Sequence, residues 1–291
     1  MQEYYDNQNE ILISATTPKY QNLKFANKYL LIILSVYLFS GIIIELIEPL
    51  YKGFLLPYLQ GMAQLLLMFL PALLLSKYSP LPFKKLFRSE SKINPLMFIL
   101  SIIGIIALSV FETSYLYLQE KFIPGFLFEF YKTAEKAVDE LYNKILGGDG
   151  FFDCIKALTI GAIIPALSEE TLFRGLYQRS LEEDLKPFLA IIITSMVFAI
   201  VHLNPISIIP LFAIGLFLGV VAYGTKSLLV PIILHFLNNA IAVIIMYSPS
   251  LSQLDDISYN LTNNDAVILV LISSILISII SLILFRNGKK N

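Results

Sequence analysis

The chain is poor in cysteine, tryptophan, histidine and charge. It has one cysteine, Cys154, in 291 residues. A single thiol excludes an internal disulfide and any metal cluster built on several cysteines. Tryptophan is absent, which leaves the 16 tyrosines as the aromatics of a membrane boundary. Charged residues make up only 15% of the chain; a soluble domain usually has about 25%. The formal net charge of −1 gives a polyanion nothing to hold, so no nucleic-acid partner is expected. The first 27 residues are mostly polar and lack the short apolar core of a secretory signal, so no cleaved leader is expected.

Long apolar runs fill the space that charge leaves. Hydrophobic residues are 56% of the chain, and its mean hydropathy is +0.72. Eight runs, roughly 29–49, 58–75, 95–117, 155–176, 187–204, 206–223, 228–247 and 266–285, are long enough for a hydrocarbon core about 30 Å thick. The expected fold is all-α, a polytopic membrane bundle of about eight transmembrane helices. It divides into a polar N-terminal tail (1–28), a membrane domain (29–285) and a short C-terminal tail (286–291). Only "LNP" parts the fifth and sixth runs, so they form a tight hairpin. The longest polar connection, 118–154, mixes apolar and charged residues at helical spacing. It reads as an amphipathic helix, either on the membrane interface or simply solvated.

Lys and Arg set the orientation. With eight spans and an internal N-terminus, 15 of the 21 basic residues fall on the cytoplasmic side and 6 on the other. Both termini are therefore expected in the cytoplasm.

A few polar residues do not belong in such runs. The two histidines, His202 and His235, lie in "VFAIVHLNP" and "VPIILHFLNNA". Ionisable groups at membrane depth are costly, face the protein interior and are candidates for function. The other reading is that each histidine merely bonds a neighbouring helix. A third anomaly is "SEETLFRG", residues 168–175. Glu170 and Arg174 are one helical turn apart and can pair. Glu169 points about 100° away around the helix and stays free for other work. Phe198 precedes His202 by four residues, and His235 precedes Asn239 by four. Pro165, Pro205 and Pro231 flank the three stretches, and Gly161 stands four residues before Pro165. Proline removes a backbone hydrogen bond, and broken backbone at membrane depth is tolerated around a cavity. The three helices are expected to bend around a wet cavity within the motif-bearing core, 155–247.

A carboxylate in such a pocket, beside a histidine, can take a proton from water and return it to a leaving amine. A second histidine and an asparagine can donate to an oxyanion. Glu169, His202, His235 and Asn239 suffice for amide hydrolysis without a serine or cysteine nucleophile. The set Glu169, His202 and His235 is also one that zinc accepts, with an open fourth position. The HExxH signature is absent.

"EETLFRG", "FAIVH" and "HFLNN" together resemble the motifs EExxxR, FxxxH and HxxxN of the CPBP family. These are intramembrane glutamic endopeptidases, related to the CAAX prenyl proteases and also called the Abi family. The resemblance covers roughly 165–240. It implies Glu169 as the base, assisted by His202, with His235 and Asn239 as the oxyanion hole. Glu170 and Arg174 would shape the site, and Phe198 would pack behind it. It also implies no cofactor, and a peptide or lipidated protein as substrate: a CAAX-like protein, or a bacteriocin or signalling-peptide precursor. A richness in Ile, Lys, Asn and Tyr suggests a bacterial cell membrane. Two other readings stay open. One is a non-catalytic immunity or scaffold protein of the same fold. The other is a small transporter with a Glu–His ion site, though no two-fold repeat of broken segments is visible. Counting from helix starts puts His202 and His235 at different depths, so they meet only if helices are offset, tilted or broken.

Overall fold

The computed structural model describes residues 20–51, 53–89, 92–248 and 262–290. These residues form helices and connections, with no strand among them. The longer helices are α1 (Gln21–Tyr51), α2 (Leu56–Tyr78), α3 (Pro95–Phe122), α4 (Phe128–Leu146), α5 (Phe151–Asp184), α6 (Pro187–Val201), α7 (Ile208–Thr225), α8 (Leu229–Tyr247) and α9 (Asn263–Lys290). Of these, seven are long and apolar enough to cross a membrane: all but α4 and α6. The chain is an integral, multi-pass membrane protein.

The fifth apolar run behaves differently from the rest. It yields α6, which has only 15 residues. At 1.5 Å per residue it is about 22 Å long, short of a hydrocarbon core. The outer runs extend instead. Helix α1 starts at Gln21, ahead of its apolar run, and α9 continues through the segment expected as a C-terminal tail. The rest of the expected N-terminal tail, residues 1–19, lies outside the described residues. The expected amphipathic segment is α4, the most polar of the nine helices; it packs on α2 and α5. The Tyr247 hydroxyl donates to the Leu146 carbonyl and ties the end of α4 to α8.

Helix α7 is the most enclosed of the seven spanning helices, packed by α3, α6, α8 and α9. Small residues let the backbones close in. A Cβ on Gly215 would stand 3.2 Å from Ser195 Cα, so any larger residue would push α6 and α7 apart by a few tenths of an ångström.

The prolines divide into two kinds. Pro165 lies inside α5, after a wide π-turn at Thr159–Ile163. Pro71 lies inside α2, after a similar turn at Leu65–Phe69. Proline lacks an N–H and clashes with the carbonyl four residues back, and a widened turn absorbs both faults. Pro205 and Pro231 bend no helix, contrary to expectation. Pro205 sits in the α6–α7 connection. There Asn204 Oδ1 accepts from the backbone N–H groups of Ile206 (3.1 Å) and Ser207 (3.2 Å), turning the chain into α7. Pro231 lies in the first turn of α8, where its N–H would be unpaired anyway.

Candidate active site

Helix α5 carries the site's carboxylates between two faults. The stretch Ile164–Glu170 is regular, with the π-turn Thr159–Ile163 before it and a longer one, Thr171–Gln178, after it. Single π-turns are common at functional sites because they re-aim side chains. Here Glu169 and Glu170 leave the helix in different directions and enter different surroundings.

Glu170 enters the protein interior. Glu170 and Arg174 are both fully buried, and Arg174 Nη1 donates to Glu170 Oε1 at 2.9 Å. Arg174 Nη2 donates to the Gly215 carbonyl at 3.2 Å, and the guanidinium lies 4.6 Å from the Phe198 ring centre. The polar line continues down α5 at four-residue steps. Gln178 Nε2 donates to the Gly219 carbonyl (3.0 Å) and to Glu182 Oε1 (2.8 Å). Glu182 in turn accepts from Arg88, at 2.7 and 2.6 Å to its two oxygens. The expected Glu170–Arg174 pair is therefore the upper end of a longer buried ladder.

Glu169 faces a cavity of about 750 Å³. Its walls come from α1, α2, α4, α5, α6, α7 and α8, and most of the lining is apolar. Glu169 Oε1 accepts from Gln64 Nε2 at 2.9 Å. Glu169 Oε2 makes no hydrogen bond within the protein. It stands 3.7 Å from His202 Nε2 and 4.0 Å from His235 Nε2. Both gaps exceed a direct hydrogen bond.

Each histidine is oriented through its other nitrogen. His202 Nδ1 lies 2.6 Å from the Phe198 carbonyl, which can only accept, so Nδ1 carries the proton. His235 Nδ1 lies 2.8 Å from Glu170 Oε1. In its neutral form each ring would then turn an unprotonated Nε2 toward Glu169. Phe198 holds both rings, with centroids 4.6 Å from His202 and 6.2 Å from His235. Asn239 also lines the cavity. Its Nδ2 donates to the Gly161 carbonyl at 3.1 Å, the carbonyl that Pro165 leaves unpaired four residues on. One amide proton of Asn239 is used there; the other is left for a ligand.

The two histidines meet because the helix ends are uneven. Helix α6 stops early, so His202 stands at its end on the cavity wall. The α7–α8 turn is itself buried: Thr225, Ser227, Leu228 and Val230 are all inside, and the 83–89 segment packs Leu86 and Phe87 over Leu228. Helix α8 therefore begins at depth, and His235, only six residues after Leu229, reaches the same level.

All seven residues singled out from sequence come together: Glu169, Glu170, Arg174, Phe198, His202, His235 and Asn239. Five of them line the cavity, and Glu170 and Arg174 stand behind it. Sequence reasoning missed Gln64, Gln178, Glu182 and Arg88. The signal for Gln64 was a second glutamine, Gln60, one turn before it in an apolar run. Gln178 and Glu182 continue the four-residue spacing of Glu170 and Arg174. Arg88 had no local signal. Among the described residues, no group of three or more His, Cys, Asp or Glu side chains is arranged to hold a metal ion.

The model of one protein family, Rce1-like, described as type II CAAX prenyl endopeptidase Rce1-like, matches residues 152–241. No curated protein and no solved structure matches the chain. The matched segment holds every member of the cluster except Gln64, and over that segment the chain is similar to the type II CAAX prenyl endopeptidases of the Rce1-like family.

Proposed function

We propose that the chain hydrolyses peptide bonds within the membrane by a glutamate-activated water. The observation that supports this best is the placement of Glu169 Oε2, free of protein partners, facing Nε2 of both histidines in a largely apolar cavity. Glu169 takes a proton from a water whose oxygen attacks the scissile carbonyl carbon. His202, with Nε2 unprotonated, assists and helps carry that proton to the leaving amine. The C–N bond then breaks, giving an acid and an amine. Asn239 donates its second amide proton to the oxyanion. His235 donates from Nε2 only when its ring holds both protons, and Glu170 is the anion placed to stabilise that cation.

The mechanism needs no cofactor. Zinc on Glu169, His202 and His235 is the alternative, and it predicts loss of activity with a chelator and recovery with added zinc. The cavity's apolar walls suit a membrane-associated, lipid-bearing peptide, such as a CAAX-like protein or a bacteriocin or signalling-peptide precursor. Cytoplasmic termini in a bacterial cell membrane fit the excess of basic residues only with an even number of crossings, which requires the short α6 to complete an eighth. The test is cleavage of lipidated and plain peptides by the protein in proteoliposomes, followed by mass spectrometry. Cleavage by the wild type and none by E169Q supports the reading; equal cleavage by both sinks it. A wild type that cleaves nothing, with a phenotype that survives H235A, favours the scaffold reading.

A further inference from the structure

We infer that Gln64 of α2 is a positioning residue that selects which oxygen of Glu169 acts as the base. The inference rests on the reading of Glu169 as that base. The two oxygens of a carboxylate are chemically equivalent, and the terminal torsion of a glutamate is broad. Nothing in Glu169 itself decides which edge meets the water. One short hydrogen bond from a fixed donor does decide it. An ionised carboxylate only accepts, so Gln64 presents its amide N–H to Oε1.

The bond length supports this division. Gln64 is 2.9 Å from Oε1, whereas the histidines are 3.7 and 4.0 Å from Oε2. Oε1 is occupied by the protein, and Oε2 is left to the cavity. Gln64 is itself held: it is 8% exposed and closes the regular stretch Leu56–Gln64 just before the π-turn Leu65–Phe69. That turn and the Ile164–Glu170 stretch pack against each other. The proline faults of α2 and α5 thus place a donor on one helix opposite a carboxylate on the other. Gln64 lies outside the matched segment 152–241, so nothing known of that segment assigns it a role.

A donor to the ionised form favours that form. Removing it leaves the orientation of Glu169 loose. The other titratable groups around the site are Tyr37 and Glu45 of α1, Tyr142 of α4, Glu170 and Arg174 of α5, His202 and His235, with Glu112 of α3 near His235. Two variants test the inference, both checked for folding by thermal unfolding in detergent. Q64L keeps the volume and deletes the donor. Q64E keeps the shape and replaces the donor with a like charge. In both, kcat is expected to fall on the order of 10²-fold from misplacement, with KM little changed. The second readout is the infrared splitting between the two stretches of the Glu169 carboxylate, isolated at one fixed pH as the difference between each protein and its own E169Q variant. A donor on one oxygen makes the two C–O bonds unequal, so the splitting should change in both variants. Folded variants that keep the wild-type splitting overturn the inference, even when kcat falls. If the wild type cleaves nothing, the peptidase reading fails by itself, and the infrared splitting still decides the role of Gln64. Should Q64L fail to fold, Q64E carries both readouts.

Discussion

Glu169 and Glu170 are neighbours on one helix, yet they serve two different regions. Glu170 heads a dry ladder through Arg174, Gln178 and Glu182 to Arg88, in which each side chain bonds the next or a carbonyl of α7. Glu169 opens on a cavity, keeps one oxygen free and meets histidines at more than hydrogen-bond distance. Both carboxylates leave Oε2 without a hydrogen bond within the protein. What separates them is the Arg174 guanidinium, which pairs with Glu170, and the cavity, which Glu169 lines and Glu170 does not. The peptide link between the two residues separates stability from chemistry by about 100° of helix rotation. His235 joins the regions, with Nδ1 on Glu170 and Nε2 toward Glu169.

Substitutions on the two sides should have opposite signatures. The largest effect on rate is expected from E169Q. It should lower peptide cleavage about 10²–10⁴-fold, the span of general acid–base catalysis, and leave the detergent unfolding temperature nearly unchanged. A large drop in unfolding temperature would put Glu169 in the ladder after all. R174A should do the reverse. It strands Glu170 in the interior and is expected to cost about 3–5 kcal/mol of stability, read as loss of folded protein in size-exclusion yield and thermal unfolding. N239A tests the join. As an oxyanion donor, Asn239 should account for about 10²–10³-fold in kcat. Its bond to the Gly161 carbonyl should add only about 1 kcal/mol of stability. Stability loss without rate loss would make Asn239 a brace for the proline fault and nothing more.

The smallest effect is expected outside the membrane spans, at Lys132 on α4. Its ammonium sits between Glu120 (2.7 Å) and Glu135 (2.8 Å). The hydrogen bond to Glu120, then that to Glu135, raises its ionisation above the usual lysine range. A raised lysine contributes stability below its unfolded value and loses it as pH climbs through the folded one, so the contribution is full at neutral pH. The pair is more than a third exposed, so water and salt screen it. K132A should change stability by less than about 1 kcal/mol, with cleavage unaltered, as thermal unfolding and peptide assays would show. A rate loss there would tie α4 to substrate entry, since Leu141, Tyr142, Ile145 and Leu146 of that helix line the cavity.

Much of this was legible in the residues. Apolar runs of 18 residues or more have few alternatives to a spanning helix, because lipid cannot satisfy backbone polar groups. The fifth run misled by length alone: 187–204 is apolar throughout, yet α6 ends at Val201 and α7 begins only at Ile208, after the Asn204 turn. The prolines misled by position. Pro165, Pro205 and Pro231 look equivalent in sequence, but only Pro165 sits where a helical hydrogen bond is lost. Gln64 was passed over because an uncharged side chain in an apolar run carries no strong signal. Its partner lies 105 residues away.

By itself, the sequence determined an all-helical membrane bundle and the residue types of the site. Burial energetics leave few other places for two histidines, a Glu–Glu–Arg cluster and an asparagine in apolar helices. Tertiary structure decided which glutamate pairs with Arg174 and which lines the cavity, the shared level of His202 and His235, and the donor that holds Glu169. Those outcomes depend on where helices start, stop and widen. These are set by packing between segments far apart in the chain, such as Phe87 over Leu228 and Gln64 against Glu169. Local pattern carries no record of such contacts.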